Sequence, residues 1–271
     1  IPVKYHHHEV GGPGQSEIET PLLGITEAGD AALLVKYVVK MTAMRAGKTA
    51  TFLPKPIYGL AGSSTHYHQL LTKGGENQFY DPKGLSLLSR TALQYIGGML
   101  THAPAVMAFT NPSPNSYRRL VPGFEAPIKA IFSVANRSAA IRIPKYATAP
   151  QAVRMEFRPP DATGNAYLSM AAMLMAGLAG VRDEIDPTVA GFGPIYDNIF
   201  DWSEERRATI KSLPTSVDAA MSALENDPGF LKEDGIFDDT LIQTWVNTKR
   251  KEAERVNQRP TPFEIENYYD C

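Results

Sequence analysis

The chain has 271 residues, 43% of them apolar and 21% charged, which fits a globular protein with one large or two ordinary domains. Basic and acidic side chains nearly cancel, 27 against 29, and no apolar run approaches the length of a membrane span, so neither nucleic acid nor membrane is an expected partner. One cysteine, Cys271, excludes disulfide scaffolds, zinc ribbons and dithiol redox chemistry, pointing to a reducing, cytoplasmic compartment. Ile1-Pro2-Val3-Lys4 opens no secretory signal.

A first strand is expected at Val3-Lys4-Tyr5, running into His6-His7-His8-Glu9 and the turn-rich Gly11-Gly12-Pro13-Gly14. Three histidines without a linker are too short a run for a purification tag. Thr26 is the expected N-cap of an apolar helix that ends at Gly47. Lys48 to Leu53 reads as a strand stopped by Pro54 and Pro56, and Thr65 to Leu71 as another, followed by a hairpin turn over Lys73-Gly74-Gly75-Glu76-Asn77. Ser86 to Phe109 predicts a long helix interrupted by Pro104. Residues 111–127, with four prolines, read as an irregular loop. Strands are expected at Ala130 to Ala135, Ala140 to Ile143 and Val153 to Arg158, then a helix capped by Asn165 and reaching Gly180. Beyond Gly193 the pattern is polar loops and two amphipathic helices, 216–226 and 239–257. Strands and helices intermix, so the expected class is α+β.

Charge is not spread evenly. From Asn115 to Arg158 there are eight basic residues and only two acidic ones, Glu125 and Glu156, which suggests a local anion site. Glu9 and Glu17 flank a Gly/Pro turn that can bring both carboxylates to one point. His66 and His68 alternate along a strand and share a face, as do Arg154, Glu156 and Arg158. Three charges on one strand face mean that the face meets solvent or lines a polar site. Hard oxygen donors with few imidazoles suit Mg²⁺ or Mn²⁺, and arginines beside such ions hold transferring phosphoryl groups. Ala46-Gly47-Lys48-Thr49 imitates the tail of a P-loop. It lacks the earlier glycine and follows a helix rather than a strand, so it is rejected.

Several longer motifs occur together. They are His7-His8-Glu9-Val10 with Gly14-Gln15-Ser16-Glu17, the run Gly47 to Pro56, Asn115-Ser116-Tyr117-Arg118-Arg119-Leu120-Val121-Pro122-Gly123, the run Asn136 to Pro144, and Glu156-Phe157-Arg158-Pro159-Pro160-Asp161. In this order they resemble type I, bacterial-type glutamine synthetase, through residues 7–182 and more loosely to Tyr268-Tyr269. The resemblance implies a catalytic domain with a curved antiparallel sheet backed by helices. It implies ligation of ammonium to L-glutamate through γ-glutamyl phosphate, with ATP as co-substrate and two Mg²⁺ or Mn²⁺ ions per site.

Carried over by residue, Glu9 and Glu17 hold one metal, and His66 and Glu156 the other. Gly62, Arg119 and Arg158 bind glutamate, Arg142 and His68 contact the nucleotide, Arg137 stabilises the γ-phosphoryl in flight, and Glu125 is the flap over the acyl phosphate. The resemblance further implies a homo-oligomer of two hexameric rings. It also implies an N-terminal domain and a strand with two more acidic ligands, which these 271 residues do not include, so this portion alone is expected to be inactive. Ala61 stands where the family has asparagine, which leaves open a ligase for another amine; a non-catalytic scaffold is the remaining alternative. Tyr196 stands where some members are adenylylated, but its following residues differ and that regulation is not carried over.

Overall fold

The computed structural model describes residues 1–12, 14–124, 126–134, 136, 138–197 and 199–271. At the N-terminus, the glycine-rich turn closes an antiparallel hairpin of β1 (Tyr5–His8) and β2 (Ser16–Glu19), in which His7 stands opposite Glu17. Helix α1 (Ile25–Arg45) begins before the predicted Thr26 cap. Gly24 is the N-cap, its N–H donating to the Glu27 side chain at 3.3 Å, so Thr26 falls inside the first turn. The segment 48–53, expected as a strand, forms none. Leu53 is exposed and no strand runs beside it among the described residues, so its backbone finds no ladder.

Next come β3 (Tyr67–Gln69) and a tight hairpin of β4 (Thr72–Lys73) and β5 (Glu76–Asn77). Its two turn residues, Gly74 and Gly75, both adopt positive φ, 61° and 85°, which is why glycines stand there. The long helix expected from Ser86 is two helices, α2 (Arg90–Thr101) and α3 (Ala103–Thr110), because Pro104 has no N–H to continue the first. Ser89 caps α2 through Ala92 N–H at 3.1 Å. The proline-rich loop holds a short helix, α4 (Pro114–Arg119), with Pro114 in its first turn and a capping box between Ser113 and Ser116.

The main sheet adds β6 (Phe132–Val134), β7 (Ile141–Ile143) and β8 (Met155–Phe157), in the order β3-β8-β7-β6. Two of its three pairings are antiparallel, as expected, while β6 and β7 run parallel. Helix α5 (Ala166–Arg182) is capped by Asn165, as its sequence indicates. The remainder is α6 (Glu204–Ala208), α7 (Val217–Asn226), α8 (Asp239–Asn257) and α9 (Pro262–Tyr268); α6 and α9 lie in stretches read from sequence as loop.

The core lies between the sheet and the helices. Phe132, Ile141, Met155 and Phe157 of the strands are fully buried, with Phe79, Tyr95 and Phe109 from the helical side. Each such side chain contributes about 1.5–3 kcal/mol relative to exposure. Helices α2 and α5 cross at backbone contact: a Cβ on Gly98 would lie 2.2 Å from Ala176 O, so only glycine fits. Helix α3 is buried at every residue except Pro104 and is held by Trp245 of α8, whose Nε1 donates to Ala108 O at 2.9 Å. No helix among the described residues is long and apolar enough to cross a membrane.

Candidate active site

A polar row crosses one face of the main sheet. In register, His68 of β3 stands opposite Glu156 of β8, Glu156 opposite Arg142 of β7, and Arg142 opposite Ser133 of β6. Cross-strand partners project to the same side, so the pleat separates this row from the apolar residues of the same strands.

Glu156 is the hub. It is fully buried; its Oε2 accepts from Arg142 Nε at 2.6 Å, its Oε1 accepts from Arg158 at 2.8 Å, and His66 Nδ1 lies 3.1 Å from that same Oε1. Burial pushes the carboxyl upward, but His66 and the two guanidiniums outweigh it and hold Glu156 well below the usual carboxylate range. Arg154 and Arg158, at i−2 and i+2, are also buried, so this strand face lines a polar interior rather than solvent.

Both imidazoles are neutral at physiological pH. Burial lowers His66 and His68 to about 4 despite the nearby Glu156. Arg154 Nε donates to His68 Nδ1 at 3.2 Å, which leaves the His68 proton on Nε2, free to donate to a ligand oxygen. Ser64 Oγ lies 2.8 Å from His66 Nε2.

Arg119, at the end of α4, is buried beneath this row. It donates to the backbone carbonyls of Arg158 and Pro159 at 3.0 and 2.7 Å, so it braces the strand end that carries Arg158. Burial lowers its pKa to about 10, leaving it charged. Gly62 sits against it: a Cβ there would meet Pro54 O at 2.2 Å and Arg119 Cγ at 2.9 Å. Asn115 of the same short helix clamps the 55–62 segment, accepting from Lys55 N–H at 2.7 Å and donating to Lys55 O at 3.0 Å. Glu125 and Arg137 lie outside the described residues. Lys55 Nζ sits 3.9 Å from the Phe124 ring centroid.

The hairpin β1–β2 brings a second set of donors together. His7, Glu9 and Glu17 each offer one ligand atom, all within 4.8 Å of one another. Gln15 ties the hairpin to the site loop, its amide donating to Gly62 O at 3.1 Å and to Ser63 Oγ at 3.0 Å. Burial, and then the Glu9 charge, raise the Glu17 pKa; Glu156 adds to the rise, so the two clusters share one electrostatic neighbourhood. Glu9 and Glu17 were legible from sequence; His7 was not singled out as a ligand. Its signal was available, because residues two apart on a strand share a face and His7 precedes Glu9 by two.

Two carboxylates and one imidazole at this spacing fit a divalent cation. His66 and Glu156 fit one differently, since both Glu156 oxygens hold guanidiniums and a cation there must share the carboxylate with Arg142 or displace it.

A mixed sheet whose buried carboxylate is ringed by guanidiniums and neutral imidazoles, beside a carboxylate–imidazole hairpin, has the chemistry to receive divalent cations and anionic groups. The sequence matches the family described as glutamine synthetase, catalytic domain, over residues 1–268, and the chain belongs to that family. It is 48% identical over all 271 residues to a glutamine synthetase of Streptomyces filamentosus, covering 57% of that protein. Identity to a glutamine synthetase of Mycobacterium tuberculosis is 48% over 265 residues, or 55% of that protein. The cryo-EM structure of Plasmodium falciparum glutamine synthetase superposes with a TM-score of 0.85 at 29% identity, over 98% of this chain and 58% of the other. The chain therefore spans a little over half the length of these relatives.

Proposed function

We propose that residues 1–271 form the catalytic domain of an ATP-dependent glutamate–ammonia ligase, which makes L-glutamine, ADP and phosphate through γ-glutamyl phosphate. The observation that carries this reading is Glu156, buried between Arg142, Arg158 and His66 and within electrostatic reach of the His7–Glu9–Glu17 group. Joining a carboxylate to ATP brings two anions together, and a polar pocket with a surplus of fixed guanidiniums is what that encounter requires.

In this reading Glu9 and Glu17, with His7 beside them, would hold one Mg²⁺ or Mn²⁺, and His66 with Glu156 the other. Bound ions would neutralise the phosphates and the glutamate carboxylate. Arg158, steadied by Arg119 through its backbone, and the close-packed loop at Gly62 shape the glutamate end. His68, as the Nε2–H tautomer, and Arg142 face the nucleotide. Arg137 is proposed to meet the γ-phosphoryl and Glu125 to close over the acyl phosphate, excluding water from an intermediate that hydrolyses easily.

Relatives named glutamine synthetase at 48% identity favour ammonia over another amine as acceptor. We also propose cytoplasmic placement and assembly into a homo-oligomer of two six-membered rings. Exposed Leu34, Tyr37, Val38 and Met44 on α1 support a further contact surface. The test is γ-glutamyl hydroxamate formation by purified chain of verified mass, alone and with the N-terminal segment of a relative supplied in cis or in trans. Turnover in the supplemented protein that Arg137→Ala lowers by ~10³-fold supports the reading. Absence of any turnover in the supplemented protein would overturn it. Robust turnover by the bare chain would show that other residues complete the metal sites.

A further inference from the structure

A cavity of about 350 Å³ opens between the start of α2 and the end of α5. None of its lining residues belongs to the strands or loops of the site above. Its lining is mixed: Leu85, Leu88 and Leu93 are apolar, while Asp81, Arg90, Gln94, Glu184 and Asp186 are polar or charged. Glu184 is paired with Arg90 at 3.1 Å, so these two cancel. Asp81 and Asp186 are in no ion pair among the described residues. In each, Oδ1 accepts from backbone, Lys83 N–H for Asp81 and Thr188 and Val189 N–H for Asp186, and Oδ2 has no hydrogen-bond partner among the described residues. The cavity therefore carries two uncompensated negative charges.

Gln94 makes the second, independent observation. It lines the cavity from α2 with only 8% of its surface exposed, and its side-chain amide makes no hydrogen bond among the described residues. The amide atoms stay accessible from the cavity, so a ligand seated there can bond to them directly. The volume lies at the lower end of the range of small-molecule sites, and the mixed lining of leucines and charged groups suits a small amphipathic cation.

We propose that this cavity binds a small aliphatic amine that also carries a hydrogen-bonding tail. Its ammonium sits between Asp81 and Asp186, its methylenes lie along Leu88 and Leu93, and its tail reaches the Gln94 amide. This site is separate from the ligase reading and stands or falls without it.

The probe is 4-amino-1-butanol, followed by ligand-observed saturation-transfer NMR on the purified chain. Two comparators of similar length are 1,4-butanediol, which lacks the charge, and butylammonium, which lacks the tail. The expected order is aminobutanol tightest, butylammonium severalfold weaker and butanediol at least tenfold weaker. The double variant Asp81→Asn with Asp186→Asn keeps an Oδ1 to accept the same backbone bonds, and should lose at least tenfold in affinity for aminobutanol. Gln94→Met, near in shape, should bring aminobutanol down to the butylammonium level. No saturation transfer at 10 mM probe, butanediol binding as tightly as aminobutanol, or unchanged binding in the double variant would each overturn the proposal. The comparison of probes on the unaltered protein decides the matter even if a variant fails to fold.

Discussion

The two carboxylate–imidazole clusters use similar residues and reach opposite solutions. On the sheet, Glu156 is buried and its charge is held by two guanidiniums and a neutral imidazole. On the hairpin, Glu9 and Glu17 stand part-exposed beside each other with only His7 beside both among the described residues, so their charges repel. The first is organised by the fold before any ligand arrives; the second is strained by its own charge and gains from an added cation. Stability and ligand binding should therefore separate between them.

The largest effect expected from that separation is on folding. Glu156→Ala strips the anion from buried Arg158 and half-buried Arg142 and should cost about 3–5 kcal/mol, because it leaves uncompensated charge in the interior. Glu17→Ala removes a carboxylate whose pKa is already raised by burial and by Glu9, and should leave unfolding unchanged or slightly improved. Urea denaturation of both variants gives the comparison directly. Equal losses would show that the hairpin is as firmly built as the sheet row.

Next in size is Arg119→Ala. Its guanidinium satisfies carbonyls of Arg158 and Pro159 in a buried place, so truncation should cost ~2–3 kcal/mol and loosen Arg158. Arg119→Lys cannot reproduce two separate donors in a fixed fork and should recover less than half of that loss. Full recovery by lysine would mean that charge alone, not geometry, matters at this position.

The clusters should also respond to pH with opposite signs. His66 and His68 sit at about 4 in the folded chain against an ordinary 6.5, because burial disfavours the cation. Between those values the unfolded chain binds more protons, so stability falls as pH drops from 6.5 toward 4, by up to about 3 kcal/mol per histidine. Glu17 is shifted upward, so the folded chain takes its proton first and this contribution improves as pH falls through the region just above 4.5. A stability profile in Glu17→Gln that drops more steeply below pH 6 than the parent profile is the expected sign. A shallower drop would reverse the assignment.

How much of this was readable in advance follows from what sets each feature. Helices α7 and α8, the glycine turn between β4 and β5 and the Asn165 cap were legible because they are local: periodicity, positive φ and side-chain capping sit in adjacent residues. The strand expected at Lys48 to Leu53 failed because a strand needs a neighbour, and sequence does not say whether one arrives. Helix α4 was missed although Ser113-Pro114 announces it, a cap followed by a proline already fixed in helical φ. At the site, pairing Glu9 with Glu17 across a turn and grouping Glu156 with its flanking arginines needed only strand geometry. The burial of Arg119 under the 158–160 backbone, and the reach of Arg142 to Glu156 from the neighbouring strand, join segments 14 to 41 residues apart and left no local sign.

The smallest predicted effect concerns the hairpin alone. A divalent cation that binds His7, Glu9 and Glu17 would remove the Glu9–Glu17 repulsion, and by mass action ten times its dissociation constant adds ~1.4 kcal/mol. For a chain of this size that is a rise of about 3–5 °C in Tm if the hairpin unfolds with the rest, and less if it opens by itself. Manganese at 1 mM should produce the rise at pH 8, and Glu17→Gln should reduce it because a neutral amide replaces a hard anionic ligand. The pH dependence identifies the imidazole. A backbone bond to His8 and the neighbouring glutamates raise the His7 pKa above 6.5, so protons already compete for its ring at pH 6. The manganese effect should therefore shrink between pH 8 and pH 6, and do so less in His7→Asn. If the variant and the parent lose the effect in parallel, His7 is a bystander and the cation is held by the two glutamates alone.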